Sequence, residues 1–98
     1  MKYKVGDKVR IKTWKEMEEH FGLNKKGYIS CNRYFFTKEM ERLLNKNFSN
    51  RMMEIKQVNS DHFYYRMKYM AFNWADDMIK EKIISEPINS RFDILDIR

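Results

Sequence analysis

The sequence predicts a small α+β domain, mainly β with short helices set between the first and second long strands. Three observations carry that expectation. Lys8 to Thr13 alternate between charged and apolar or small residues, two capped helical stripes follow, and two strand-like runs meet at Asn59-Ser60-Asp61.

Each element follows in order. Lys8, Arg10 and Lys12 alternate with Val9, Ile11 and Thr13, so a half-buried strand turns its basic side to water. Gly6-Asp7 supplies the turn before it. Thr13 and Glu16 fit the capping box of a short helix whose apolar stripe is Trp14, Met17 and Phe21, closed by Gly22. A loop at Asn24 to Gly27 leads into an extended piece at Tyr28 to Cys31. Thr37 caps a second helix with Met40, Leu43 and Leu44 as its stripe, and Asn45 and Asn47 are its stop residues.

The run "MMEIKQV" (52–58) then reads as a strand, and "HFYYRMKYM" (62–70) as its hairpin partner. Strict alternation puts Phe63, Tyr65, Met67 and Tyr69 on one side, with His62, Tyr64, Arg66, Lys68 and Met70 on the other. "NWADDMIKEKII" (73–84) reads as a short helical turn capped by Asn73; after Pro87 the tail "INSRFDILDIR" adds a last strand or packs irregularly. "YFFTKEM" (34–40) and "FNWADDM" (72–78) echo each other at five of seven positions, as two plugs that each pack an aromatic and a Met inward. The expected core is Val9, Ile11, Trp14, Phe36, Met40, Leu44, Trp74 and Met78.

A chain of 98 residues is the size of one domain, spanning 1–98, and 15% aromatic content supplies a core that disordered chains lack. The net charge of +6 is uneven: residues 1–15 hold five lysines and one arginine against Asp7 alone, whereas Glu16, Glu18 and Glu19 follow directly. Cys31 is the one cysteine, which excludes an internal disulfide and fits a reducing compartment. The N-terminus has no apolar leader region and no run reaches transmembrane length, so a cytoplasmic protein is expected.

The stretch "KVGDKVRIK" (4–12) resembles the first strand of SH3-like barrels of the KOW type. The whole order is similar to small phage and prophage proteins of low-GC bacteria. Those run from a "VGDKVRI" strand through an "F-x-x-E-M" helix and a hairpin to a late "W-[TS]-D-E-M-[FI]" turn, matched here by Val5 to Ile11, Phe36 to Met40, Met53 to Tyr69 and Trp74 to Ile79. Ala75 departs from the pattern, standing where a hydroxyl residue is usual, and "KNFSNRMME" lacks the Gly expected before the middle strand. The resemblance implies a small SH3-like barrel over about residues 3–82 with an extension at 83–98, and it brings no established activity.

Catalytic chemistry has little to stand on. His20, His62 and Cys31 have no metal-ligand spacing, and Gly6, Gly22 and Gly27 form no phosphate-cradling motif. Asp76 and Asp77 are adjacent, so on a helical turn they diverge by about 100° and suit its first turn better than a shared site. The expectation is a non-enzymatic binding module with no cofactor, metal, membrane or small-molecule substrate. A host protein is the favoured partner, since Tyr3, Tyr28, Tyr34, Phe35 and Phe72 are aromatics to spare. The alternative is nucleic acid, bound by Lys8, Arg10 and Lys12 with Tyr64, Arg66 and Lys68 as a stacking ring amid positive charge. The positive charge disfavours mimicry of DNA and leaves open an inhibitor that occupies a protein surface or competes for nucleic acid.

Overall fold

The N-terminal alternation folds as β1 (Lys8–Ile11), burying Val9 and Ile11, in a computed structural model that describes residues 1–31 and 33–84. Strand β1 lies between β4 (Met52–Asn59) and β7 (Ile79–Lys82), antiparallel to both. Beyond β4 come β5 (Tyr64–Met67) and β6 (Asn73–Trp74), giving a five-stranded sheet in the order β6-β5-β4-β1-β7. The connection from β1 to β4 holds α1 (Trp14–Phe21), a hairpin of β2 (Ile29–Cys31) and β3 (Tyr34–Phe36), and α2 (Lys38–Asn47). The protein is thus small and α+β, mostly antiparallel sheet with two helices. Its sheet is open among the described residues: β6 and β7 are the edges and do not pair.

The helices begin where their caps require. Thr13 Oγ1 accepts from the Glu16 N–H at 3.1 Å while Glu16 Oε1 accepts from the Thr13 N–H at 2.8 Å, a reciprocal pair that satisfies two otherwise orphaned donors. Gly22 ends α1 at φ 78°, a left-handed value that a residue without Cβ adopts freely. Thr37 caps α2 through the Met40 N–H at 3.2 Å. One apolar cluster joins the sheet to the insertion: Val9, Ile11, Met53, Ile55, Tyr65, Met67 and Trp74 meet Met17, Ile29, Phe36, Met40 and Leu44. Of the expected core only Trp14 is half-buried; it packs 5.6 Å from Phe36, with Lys38 Nζ 4.1 Å over its ring. The two echoed segments do meet, Phe36 and Trp74 lying 6.2 Å apart.

Three expectations are corrected. Tyr65 and Met67 face the core, but Phe63 and Tyr69 do not continue their side, because φ is 61° at Phe63 and 65° at Tyr69 and the chain leaves the strand at both. Met70, expected on the outer side, is buried for the same reason. Asn73 is no cap: it belongs to β6, and Ala75 precedes a 3-10 turn at Asp76–Met78 with no side-chain cap. The segment after that turn is β7, not helix. The tail expected to form a strand lies outside the described residues.

Arg51 makes the densest polar tie between the insertion and the sheet. Arg51, at φ 60°, sets Nη1 2.8 Å and Nη2 2.7 Å from the two Glu41 oxygens on α2. Its Nε also donates to the Ile11 carbonyl at 3.2 Å, Nη2 to the Lys12 carbonyl at 2.5 Å, and Nη1 to Asn45 Oδ1 at 3.0 Å. The pair is largely buried, so each hydrogen bond counts for more than at an exposed surface. Arg51→Ala is expected to cost about 2–4 kcal/mol by stranding Glu41 and two carbonyls, and Arg51→Lys to recover little, since an ammonium has no planar fork. Urea unfolding measures both; a loss under about 1 kcal/mol in the Ala variant would mean that other contacts hold the insertion.

Two surface carboxylates add pH dependence. The Lys4 N–H and then Lys82 hold Asp7 below its ordinary range, and the Thr13 N–H and then Lys80 do so for Glu16. A depressed carboxyl contributes stability that is complete above its unfolded value, about 4, and is lost as pH falls through the lower folded value. The Asp7→Asn, Glu16→Gln double variant should therefore melt lower than the parent at neutral pH, with the gap closing in acid. A gap that stays constant with pH would contradict this.

Candidate binding grooves

The six residues of the expected basic surface are broken up by carboxylates. Arg10 pairs with Glu81 at 2.8 Å and Lys68 with Glu54 at 3.0 Å, while Lys8 stands opposite Glu54 in the β1–β4 register. Lys12 follows the strand, its N–H donating to the Met78 carbonyl at 2.9 Å. Tyr64 is half-buried, edge-on to Tyr34 at 5.8 Å, and its hydroxyl accepts from Asn59 Nδ2 at 3.2 Å. Arg66 is half-buried between Gln57 and Asn73. The fold brings together only Lys8 and Lys68, which line one hollow.

Two concavities stand at opposite ends of β5, and each is lined by an aromatic that alternation puts on the same side as Tyr65 and Met67. The larger, about 580 Å³, lies between the β2–β3 hairpin, the 60–63 turn and the 3-10 turn, lined by Arg33, Tyr34, Phe63, Ala75, Asp76 and Asp77. Phe63 is 53% exposed and carries the Arg33 guanidinium 5.1 Å from its ring centroid. Tyr34 Oη donates to the His62 carbonyl at 2.6 Å, which fixes the hairpin against the turn. Behind them Asp76 accepts a hydrogen bond from the buried Tyr65 hydroxyl, which itself accepts from the Tyr3 N–H at 3.0 Å. Burial, then the bond to Asp76, pushes the Tyr65 hydroxyl far above its ordinary pKa, so it stays a donor.

The smaller hollow, about 230 Å³, is lined by Lys8, Phe48, Met52, Met53, Glu54, Lys68 and Tyr69. The Met67 carbonyl accepts from the Met70 N–H at 3.3 Å, closing a four-residue turn with Tyr69 third. With Lys68 at ordinary φ, a positive φ in third place defines a type II turn, where Gly or Asn is usual. A bulky residue there is an outlier costing about 1–2 kcal/mol, and outliers of this kind collect at functional sites. Neither ring was identifiable from spacing, because no Gly, Asn or Pro marks the point where the strand pattern stops.

Among the described residues no group of three or more His, Cys, Asp or Glu could hold a metal ion, and no helix is long and apolar enough to cross a membrane. Cys31 is buried; that burial, then Asp77, pushes its thiol up to about 11. No family model, curated protein or solved structure matches the chain.

Replacing Phe63 or Tyr69 with Gly is expected to leave stability unchanged or raise it by up to about 1 kcal/mol, relieved strain slightly exceeding the added freedom of the unfolded chain. The same change at buried Tyr65 should cost over about 3 kcal/mol. Thermal melts compare the three; a large loss at Phe63 or Tyr69 would assign that ring to the fold and not to binding.

Proposed function

We propose that the protein is a non-catalytic binding module that takes an extended, cation-bearing segment of a partner protein in the groove beside Phe63. The observation that carries this reading is the half-exposed Phe63 ring, held out by a left-handed backbone in a groove where Asp76 and Asp77 outnumber the one lining cation, Arg33. Phe63 and Tyr34 supply apolar surface for an aliphatic stem, and the carboxylates supply the charge for its lysine or arginine head. Tyr65 occupies one of roughly four acceptor positions on Asp76, which leaves capacity for a ligand. The groove falls within the roughly 300–1,000 Å³ of sites that enclose small ligands or side chains.

An SH3-like barrel suits this role, and two features support that finer reading of the fold. Register breaks at Ile55/Gln57 in β4 and at Arg10/Ile11 in β1 are where such a sheet curls, and the buried side chains of the sheet and the insertion form one cluster. The likeness to small phage and prophage proteins supports a host protein as the partner and the cytoplasm as the place of contact.

Selection from a random peptide library tests the reading. The parent protein should enrich segments with Lys or Arg next to apolar residues, and Phe63→Gly should bind them at least about tenfold more weakly. Enrichment of acidic segments, or equal binding by the variant, would sink it.

A further inference from the structure

A second site is written into the other end of β5. We propose that the hollow beside Tyr69 binds single-stranded nucleic acid, with one unstacked base on the Tyr69 ring and a neighbouring phosphate on Lys8. Tyr69 is 89% exposed, more than any other large apolar side chain among the described residues. The turn that presents it would be served more cheaply by Gly, so the fold gains nothing from a ring at this position. Phe48 and Met52 line the concavity beside it, apolar contact for the edge of a planar group.

Charge selects among occupants. Lys8 lies within 4.0 Å of no carboxylate among the described residues, whereas Glu54 is engaged by Lys68 at 3.0 Å. Glu54 therefore presents a neutralised pair, and Lys8 is the cation available to a phosphate. An apolar protein surface docking here would have to strip water from the Lys8 ammonium without pairing it, a cost that a phosphate avoids. The hollow is also smaller than a drug-sized pocket, with room for one ring and not for a folded segment. Duplex is the wrong substrate, because paired bases hide the faces that a tyrosine stacks on; a single strand offers a face at every residue.

Fluorescence anisotropy of labelled oligo(U), oligo(dT) and a duplex of equal length, each about ten nucleotides, tests the site with the full chain across a salt series. Expected are binding of at least one single strand in preference to duplex, a loss of about 5- to 150-fold in Tyr69→Gly, and recovery in Tyr69→Trp. Lys8→Gln should flatten the log-affinity against log-salt slope by about 0.7, the signature of one lost phosphate contact on a single strand. The two homopolymers separate RNA from DNA as the source of the strand. Should Tyr69→Gly fail to fold, Tyr69→Asn, also at home at this φ, reads the same loss. No single-strand binding at low salt, equal binding of duplex, or an unchanged affinity without the ring would overturn the proposal.

Discussion

The Arg51 guanidinium is the densest polar link that orients the insertion, with Tyr34 on the His62 carbonyl and Glu16 on Lys80 as lesser ones. Residues 12–51 contribute two helices and a hairpin, yet they reach the sheet mainly through apolar contacts, which are non-directional and would tolerate sliding. Arg51 supplies the direction. It fixes the middle of α2, through Glu41 and Asn45, against the Ile11 carbonyl at the end of β1 and the Lys12 carbonyl just after it. Since α2 follows directly from β3, the same clamp helps to set where the β2–β3 hairpin stands, and so where Arg33 and Tyr34 meet the 60–63 turn. A groove built from three separate loops is only as precise as the element that holds the longest of them.

The strand β5 then sets the geometry of both hollows. Four residues long, it is buried at Tyr65 and Met67 and paired on both sides, by β4 and by β6. Such a strand is stiff. At each of its ends the backbone switches to positive φ at an aromatic residue, which directs the ring out of the sheet. The strain is affordable because the flanking structure over-determines it: Asn59 Oδ1 holds the His62 N–H at 2.9 Å before Phe63, and buried Met70 anchors the chain after Tyr69.

Local rules made much of this legible and long-range ones did not. Thr13, Glu16, Gly22 and Thr37 announced their helix ends because capping acts over four residues, and β1 was readable because Val9 and Ile11 face a core while Lys8 does not. β7 was hidden: Ile79 is its only buried residue, and the charges at Lys80, Glu81 and Lys82 that mark an edge strand read equally well as a solvated helix. Phe63 and Tyr69 were hidden for the opposite reason. The letters continue the period of two after the backbone has abandoned it, and the residues in the glycine places are aromatic. Arg51 gave no sign at all, since its partners lie six, ten and some forty positions away and match no local capping or pairing pattern.

The two concavities carry opposite net local charge, Asp76 and Asp77 outweighing Arg33 at one and Lys8 left beside the Lys68–Glu54 pair at the other, and the net +6 of the chain describes neither. β5 alone separates them by about 10 Å at 3.3 Å per residue, slightly more than the screening length of about 8 Å at physiological salt. Beyond that distance each end acts on a ligand through its own charges. For the two proposed ligands, screening therefore weakens the repulsion between phosphates at Lys8 and the distant carboxylates, and between a cationic segment at Asp76 and Asp77 and the distant lysines. Because β5 is paired on both sides and buried at Tyr65 and Met67, it is a poor element for transmitting a change between its ends, so a ligand at one proposed site should leave affinity at the other nearly unchanged.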